Sequence, residues 1–382
     1  MYSPLKHTME TTSISAQPSL PSLPSLNNTH ESPTQALYQC ITTLRGHSSY
    51  ISALAVDGNS LYSGSADRQI RIWTHTGHES RCTTITCESP IKSLLISKDT
   101  MFSSHQDHKI RVWHIYTKYT QPCRLQAVLP TAKDRILSLL SPGKHVQVRR
   151  HKKCTWVQHV DAVSALAFSD NRTILYSVSW DRSLKIWQLS SNKCIESVPR
   201  AHDDAISAVV ISKLGFIYTG SADTTIRVWK MQEGQKKHKL VDTLQGHRSA
   251  VNALALSVEE SILYSGSCDR SVVVWGGRDG HREATGALRG HTGAVLCLSV
   301  SGDLVCSGSA DRTVRMWRRR EDKGEHYCLG VLQGHGGPVK SLAMVTSDED
   351  CGDECSSWLV YSGSLDCDIK VWKILVPSSE RE

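Results

Sequence analysis

Six times in this chain a histidine, a hydroxyl residue and an aspartate return at nearly fixed offsets. The sets are His47, Ser63 and Asp67; His159, Ser177 and Asp181; His202, Thr219 and Asp223; His247, Ser265 and Asp269; His291, Ser307 and Asp311; and His335, Ser362 and Asp366. A hydroxyl nucleophile, an imidazole base and an orienting carboxylate are the parts of an acyl-transfer catalyst. The repetition argues against that chemistry. An enzyme needs one such set, with its own oxyanion hole and a distinctive turn at the nucleophile, and no copy has either. Each aspartate is also followed by a tryptophan at the same distance: Trp73, Trp187, Trp229, Trp275, Trp317 and Trp372. No catalytic residue is assigned, and no metal or cofactor is expected.

The elements that carry these residues repeat as well. SGSADRQIRIW (63–73) has close copies in TGSADTTIRVW (219–229), SGSCDRSVVVW (265–275) and SGSADRTVRMW (307–317). With Trp113 included, the phrase-ending tryptophans are spaced by 40, 74, 42, 46, 42 and 55 residues. Apolar residues alternate in QIRIW and TVRMW, the period of a half-buried strand. Runs such as VNALALS (251–257) lie ahead of each phrase and suit a fully buried inner strand. Residues 1–36, with PSLPSLPSL, read as a disordered leader. Hydrophobic residues make up 39% and charged residues 21%, which suits a soluble globular chain. The net charge of +7 permits an acidic partner without announcing a nucleic-acid binder. No run is apolar enough for a membrane span or secretory signal, and the thirteen cysteines read as reduced thiols of a cytoplasmic or nuclear protein.

A period of this length with Gly-His near the start of each unit resembles the WD40 repeat, over roughly residues 38–375. Gly-His stands at Gly46-His47, Gly246-His247, Gly290-His291 and Gly334-His335, with degenerate forms at Gln158-His159 and Ala201-His202. In the second unit Cys87 takes the histidine position, so that blade is expected to be the softest. The aspartate that usually follows the last tryptophan is missing in every copy. The resemblance implies an all-β, seven-bladed β-propeller over 37–376, closed by residues 39–44 as the outer strand of the last blade, with 377–382 as a tail. It also implies that each Asp-His-Ser-Trp set is a structural hydrogen-bond network.

Partner binding is expected where the repeats differ. Trp180 stands just before a turn aspartate where other units carry mostly small residues, and Tyr50 stands out three residues after a Gly-His. Arg68, Arg182, Arg270 and Arg312 follow their turn aspartates, and aromatic and arginine side chains dominate binding hot spots. Lys92 and Lys340 fall in inner strands and are expected to face the central channel. An insertion over about 114–155, with Arg149, Arg150, Lys152 and Lys153 as a basic patch, resembles that of plant WD40 proteins of the Jingubang type, and the sequence leaves open whether it completes the second blade or stands free of it. Cys351 and Cys355 in the acidic stretch 347–355 lack zinc-site spacing and read as part of a solvated loop. The expected function is a monomeric, non-catalytic scaffold or adaptor in signalling or transcriptional regulation, binding peptide segments, some of them acidic, and no membrane. Two alternatives are a ubiquitin-ligase substrate receptor, weakened by the missing Trp-Asp, and nucleic-acid binding through the insertion.

Overall fold

A strand that is apolar on both faces needs a sheet on either side, and stacking units around a ring supplies both. The computed structural model describes residues 23–26, 36–76, 79–116, 123–139, 145–149, 152–232, 234–235, 237–277, 280–320, 325–346 and 355–377. These form seven four-stranded antiparallel sheets and one two-stranded sheet. The innermost strands are Ile51–Asp57, Ile91–Ser97, Val163–Phe168, Ile206–Ile211, Val251–Leu256, Val295–Ser301 and Val339–Thr346. Each contacts the innermost strand of the next blade and the last contacts the first, so the ring is closed. The strand Leu37–Leu44 completes the last blade by pairing with Ile369–Pro377, as the sequence implies.

Blades join through the glycine of the SGS phrase. A side chain at Gly64 would reach to 2.5 Å from Ile91 of the next blade, and Gly220, Gly266 and Gly308 meet Val251, Val295 and Val339 in the same way. Gly363 meets Ile51 and thereby closes the ring. These isoleucine and valine residues are fully buried, each worth about 2 kcal/mol by transfer from water.

Two sequence expectations need correction. The stretch 114–155 is not one insertion, because Cys123–Leu129 is the outer strand of the second blade, paired with Ile110–Ile115. Its alternation is blunted because Arg124, Leu125 and Gln126 are all exposed. Only the rest stands apart: the helix Ala132–Leu139, capped where the Asp134 amide donates to Thr131 Oγ1 at 3.2 Å, and the hairpin of His145–Arg149 and Lys152–Thr155. The leader is not featureless either, since Leu23–Leu26 lie against the fifth blade. The expectations for Cys351, for Arg150 and for 378–382 fall outside the described residues, as do those for the rest of the leader except Ala36.

Candidate functional site

In the first blade His47 Nδ1 donates to Asp67 Oδ2 at 2.8 Å, and Ser63 Oγ lies 2.8 Å from His47 Nε2. Trp73 Nε1 donates to the same hydroxyl at 2.8 Å. A carboxylate only accepts, so Nδ1 carries the proton and Nε2 accepts from the serine. The matching sets in the third to seventh blades repeat this chain, with His-to-hydroxyl distances of 2.7–2.8 Å. Burial opposes charge on both partners. It lowers the pKa of His47, His159, His291 and His335, while hydrogen bonds and the imidazole hold all six aspartates below the usual carboxylate range, Asp311 at about 2. All six hydroxyls are fully buried and accept an indole N–H, so none of the six sets presents an accessible nucleophile. A second chain escaped the sequence reading: Ser65 donates to the Ser49 carbonyl at 3.0 Å and accepts the Asp67 amide at 3.1 Å. Ser179, Ser221, Ser267, Ser309 and Ser364 do the same.

The second blade rebuilds both chains from other residues. Cys87 is buried in the histidine position, and burial pushes its thiol up to about 12. His105 stands where Ser65 stands in the first blade. Its Nε2 meets Ser103 Oγ at 2.8 Å, and Trp113 Nε1 donates to that hydroxyl at 2.7 Å. His105 Nδ1 donates to the Ser89 carbonyl at 3.0 Å, and Ser89 Oγ accepts the Asp107 amide at 3.1 Å. Asp107 pairs instead with the buried Arg111 at 2.7 Å, which also reaches Glu88 at 2.8 Å. The histidine is displaced rather than lost, so the expected defect of this blade is corrected.

The binding candidates are positioned by a bulge. In every inner strand the pairing register shifts across the second residue, as between Ile51 and Ala53 or Ile91 and Ser93. The extra residue of a bulge is turned out of the ladder, here toward the central channel. Those residues are Ser52, Lys92, Ser164 and Ser207 in the first four blades, then Asn252, Leu296 and Lys340. Three of them latch neighbouring blades: Ser52, Ser164 and Asn252 donate to the carbonyls of Ile91, Ile206 and Val295. Together with Tyr50, Trp180, Ala310, Pro338 and Leu365 the seven line a cavity of about 480 Å³ at the channel mouth.

The structure therefore gathers Tyr50, Trp180, Lys92 and Lys340. Trp180 is 42% exposed, and Lys92 Nζ lies 4.8 Å from its ring centroid. Desolvation by the walls lowers the Lys340 pKa, and the nearby Lys92 charge pushes the same way. No carboxylate lines this cavity. Arg68, Arg182, Arg270 and Arg312 do not line it. They occupy left-handed turn positions with φ of 68–71°, and Arg182 donates to the Asp203 carbonyl of the next blade at 3.4 Å. The backbone of Arg149, Lys152 and Lys153 lies in the separate hairpin, away from this site. Ten cysteines, among them Cys87, Cys297 and Cys306, are free thiols, and no cluster of metal-ligating side chains occurs among the described residues. No described helix is long and apolar enough to cross a membrane.

A repeat profile described as "WD domain, G-beta repeat" matches residues 38–74, 151–188, 192–230, 238–276, 282–318 and 326–373, more than half of the chain. The chain belongs to the WD40 family. The second blade lies in none of the matched segments, and it is the one whose histidine has moved. Among relatives of this WD40 chain, Protein Notchless of Drosophila melanogaster is 34% identical over 85 residues, 22% of this chain and 16% of that protein. The small ribosomal subunit protein RACK1 of the same fly is 30% identical over 102 residues, 26% of this chain and 30% of that protein. The matches thus span less than a third of either relative's own length. The solved WD40 β-propeller domain of Doa1 shares the fold, with a TM-score of 0.65 at 21% identity, covering 90% of this chain and 98% of that one.

Proposed function

We propose that this WD40 protein is a non-catalytic scaffold that docks extended acidic segments of other proteins at the channel mouth. The observation that carries the reading is the pairing of Lys92 and Lys340 with the exposed Trp180 and with Tyr50, in a cavity that no carboxylate lines. An incoming carboxylate would gain two cations that line one cavity, and the aromatic rings would grip the flanking backbone. Arg68, Arg182, Arg270 and Arg312 form an outer collar around the same face and steer an acidic chain inward. A monomeric adaptor in cytoplasmic or nuclear signalling or transcriptional control, of the plant Jingubang type, fits this chemistry. A second reading rests on the hairpin outside the blades, where Arg149, Arg150, Lys152 and Lys153 would bind nucleic acid with steep salt dependence.

Affinity capture with the wild type, Trp180→Ala and the fourfold alanine variant of the basic patch separates these readings, after circular dichroism confirms folding. Loss of partners in Trp180→Ala alone supports the channel mouth. Loss only in the fourfold variant moves the function to the hairpin.

A further inference from the structure

The outer strand of the fifth blade, Glu283–Leu288, carries a short parallel addition from the leader. Leu26 N donates to the Ala287 carbonyl at 3.0 Å, and Ala287 N donates back to the Pro24 carbonyl at 2.9 Å. Arg289 reaches the Leu23 carbonyl at 3.3 Å. The two leucines fill places prepared for them. Leu26 packs so closely over Gly286 that a side chain there would come within 2.5 Å of it, and Leu23 joins the apolar cluster around Trp275.

That glycine is unusual among the blades. At the matching register, opposite the residue before the last tryptophan, the others carry Thr83, Ala127, Glu196, Asp242 and Thr42. Only the sixth blade also has a glycine, Gly330, and Tyr38 covers it. Elsewhere a side chain stands where Leu26 lies. The leader itself repeats Leu-Pro-Ser, placing Leu20, Leu23 and Leu26 three residues apart.

We propose that this glycine-floored edge is a second docking site, distinct from the channel mouth, for an extended segment with leucines three residues apart. Leu23-Pro24-Ser25-Leu26 holds it in cis, and a partner segment of the same Leu-Pro-x-Leu pattern takes its place. Backbone pairing supplies the hold and the two leucines supply selectivity, the logic of strand addition. Tethering gives the leader an effective concentration of about a millimolar, so a weak grip keeps it seated, and a partner displaces it only by binding more tightly than the leader in proportion to its lower concentration.

The test uses the full chain, with Leu23→Asp and Leu26→Asp together to release the leader, and a labelled peptide spanning residues 17–28 as probe. Hydrogen exchange at the Ala287 amide reports occupancy. Protection is expected in the wild type, lost in the double variant, and restored by the peptide, which binds that variant at least about tenfold more tightly than the wild type. Gly286→Val, with an unchanged melting temperature, removes peptide binding. An Ala287 amide that exchanges freely in the wild type, or equal peptide affinity for wild type and double variant, overturns the proposal. So does a wild type that light scattering shows to be a dimer while the double variant is a monomer, because the leader then docks in trans.

Discussion

The hydrogen-bond network and the channel mouth are built from neighbouring strands of the same seven blades, yet they treat variation in opposite ways. Where the network varies, in the second blade, the change is compensated: histidine moves to position 105, a serine hydroxyl moves to position 89, and Arg111 takes over Asp107. Where the bulge ring varies, at Lys92 and Lys340, no compensating carboxylate lines the cavity. A buried polar group left alone costs about 1–3 kcal/mol, so a structural site repairs itself or is lost. A site kept for a partner leaves its charges to be met from outside. Repetition therefore marks what holds the ring together, and uncompensated departure marks what the ring presents.

The largest effect should come from cutting the network. Ser177→Ala in the third blade strands the His159 and Trp187 nitrogens, and Ser103→Ala in the second strands those of His105 and Trp113. Each should cost about 4 kcal/mol in denaturant unfolding, with similar values in the two blades. A much smaller loss for Ser103→Ala would show that the rebuilt chain is not equivalent to the standard one.

Acid should probe the buried histidines by a smaller margin: burial lowers His47, His159, His291 and His335 as well, so they lose stability in the same direction, and His105 is the share of the rebuilt chain. Burial, helped by the neighbouring Arg111 charge, pushes His105 down to about 4 from an ordinary 6.5. Its neutral form is favoured by folding, so this stability is complete above pH 6.5 and is lost as pH falls from 6.5 toward 4. The loss amounts to about 3 kcal/mol at the acid end. The aspartates, held below their ordinary 3.8, keep their contribution until pH falls further still, toward about 2 for Asp311. Thermal melting from pH 7 to pH 4 should fall progressively, and less steeply in His105→Gln. Equal slopes would mean that this histidine is not the neutral acceptor assigned to it.

The legible and illegible parts of the sequence divide along physical lines. The strands and the six histidine sets were legible because strand alternation and fixed offsets are local properties, while the ring and its closure by 39–44 were legible only through the resemblance to the WD40 repeat. Tyr50, Trp180, Lys92 and Lys340 stood out as departures from a repeat, and the structure brings all four to one cavity. His105 was hidden because it follows its serine, whereas every other network histidine precedes its own by 16 to 27 residues. The bulges were hidden because a register shift leaves no mark on composition. Inter-blade latches such as Tyr264 to His326 at 2.9 Å, Arg282 to Tyr218 at 3.0 Å and His238 to Glu196 at 2.7 Å join residues 42 to 64 positions apart. Leu23–Leu26 lacked any alternation to announce a strand, because its pairing is set by the glycine it covers.

The central claim is that the two channel lysines await an acidic segment. Selection of random peptides displayed against the immobilised full chain tests it most directly, with Lys92→Ser and Lys340→Ser together as the control. Serine already fills this ring position in the first, third and fourth blades, so the double variant should melt within about 0.5 kcal/mol of the wild type. The account predicts wild-type selections rich in aspartate and glutamate beside apolar residues, and a loss of at least about tenfold in affinity for those peptides in the double variant. Selections without acidic enrichment, or acidic peptides that bind both proteins equally, would contradict it.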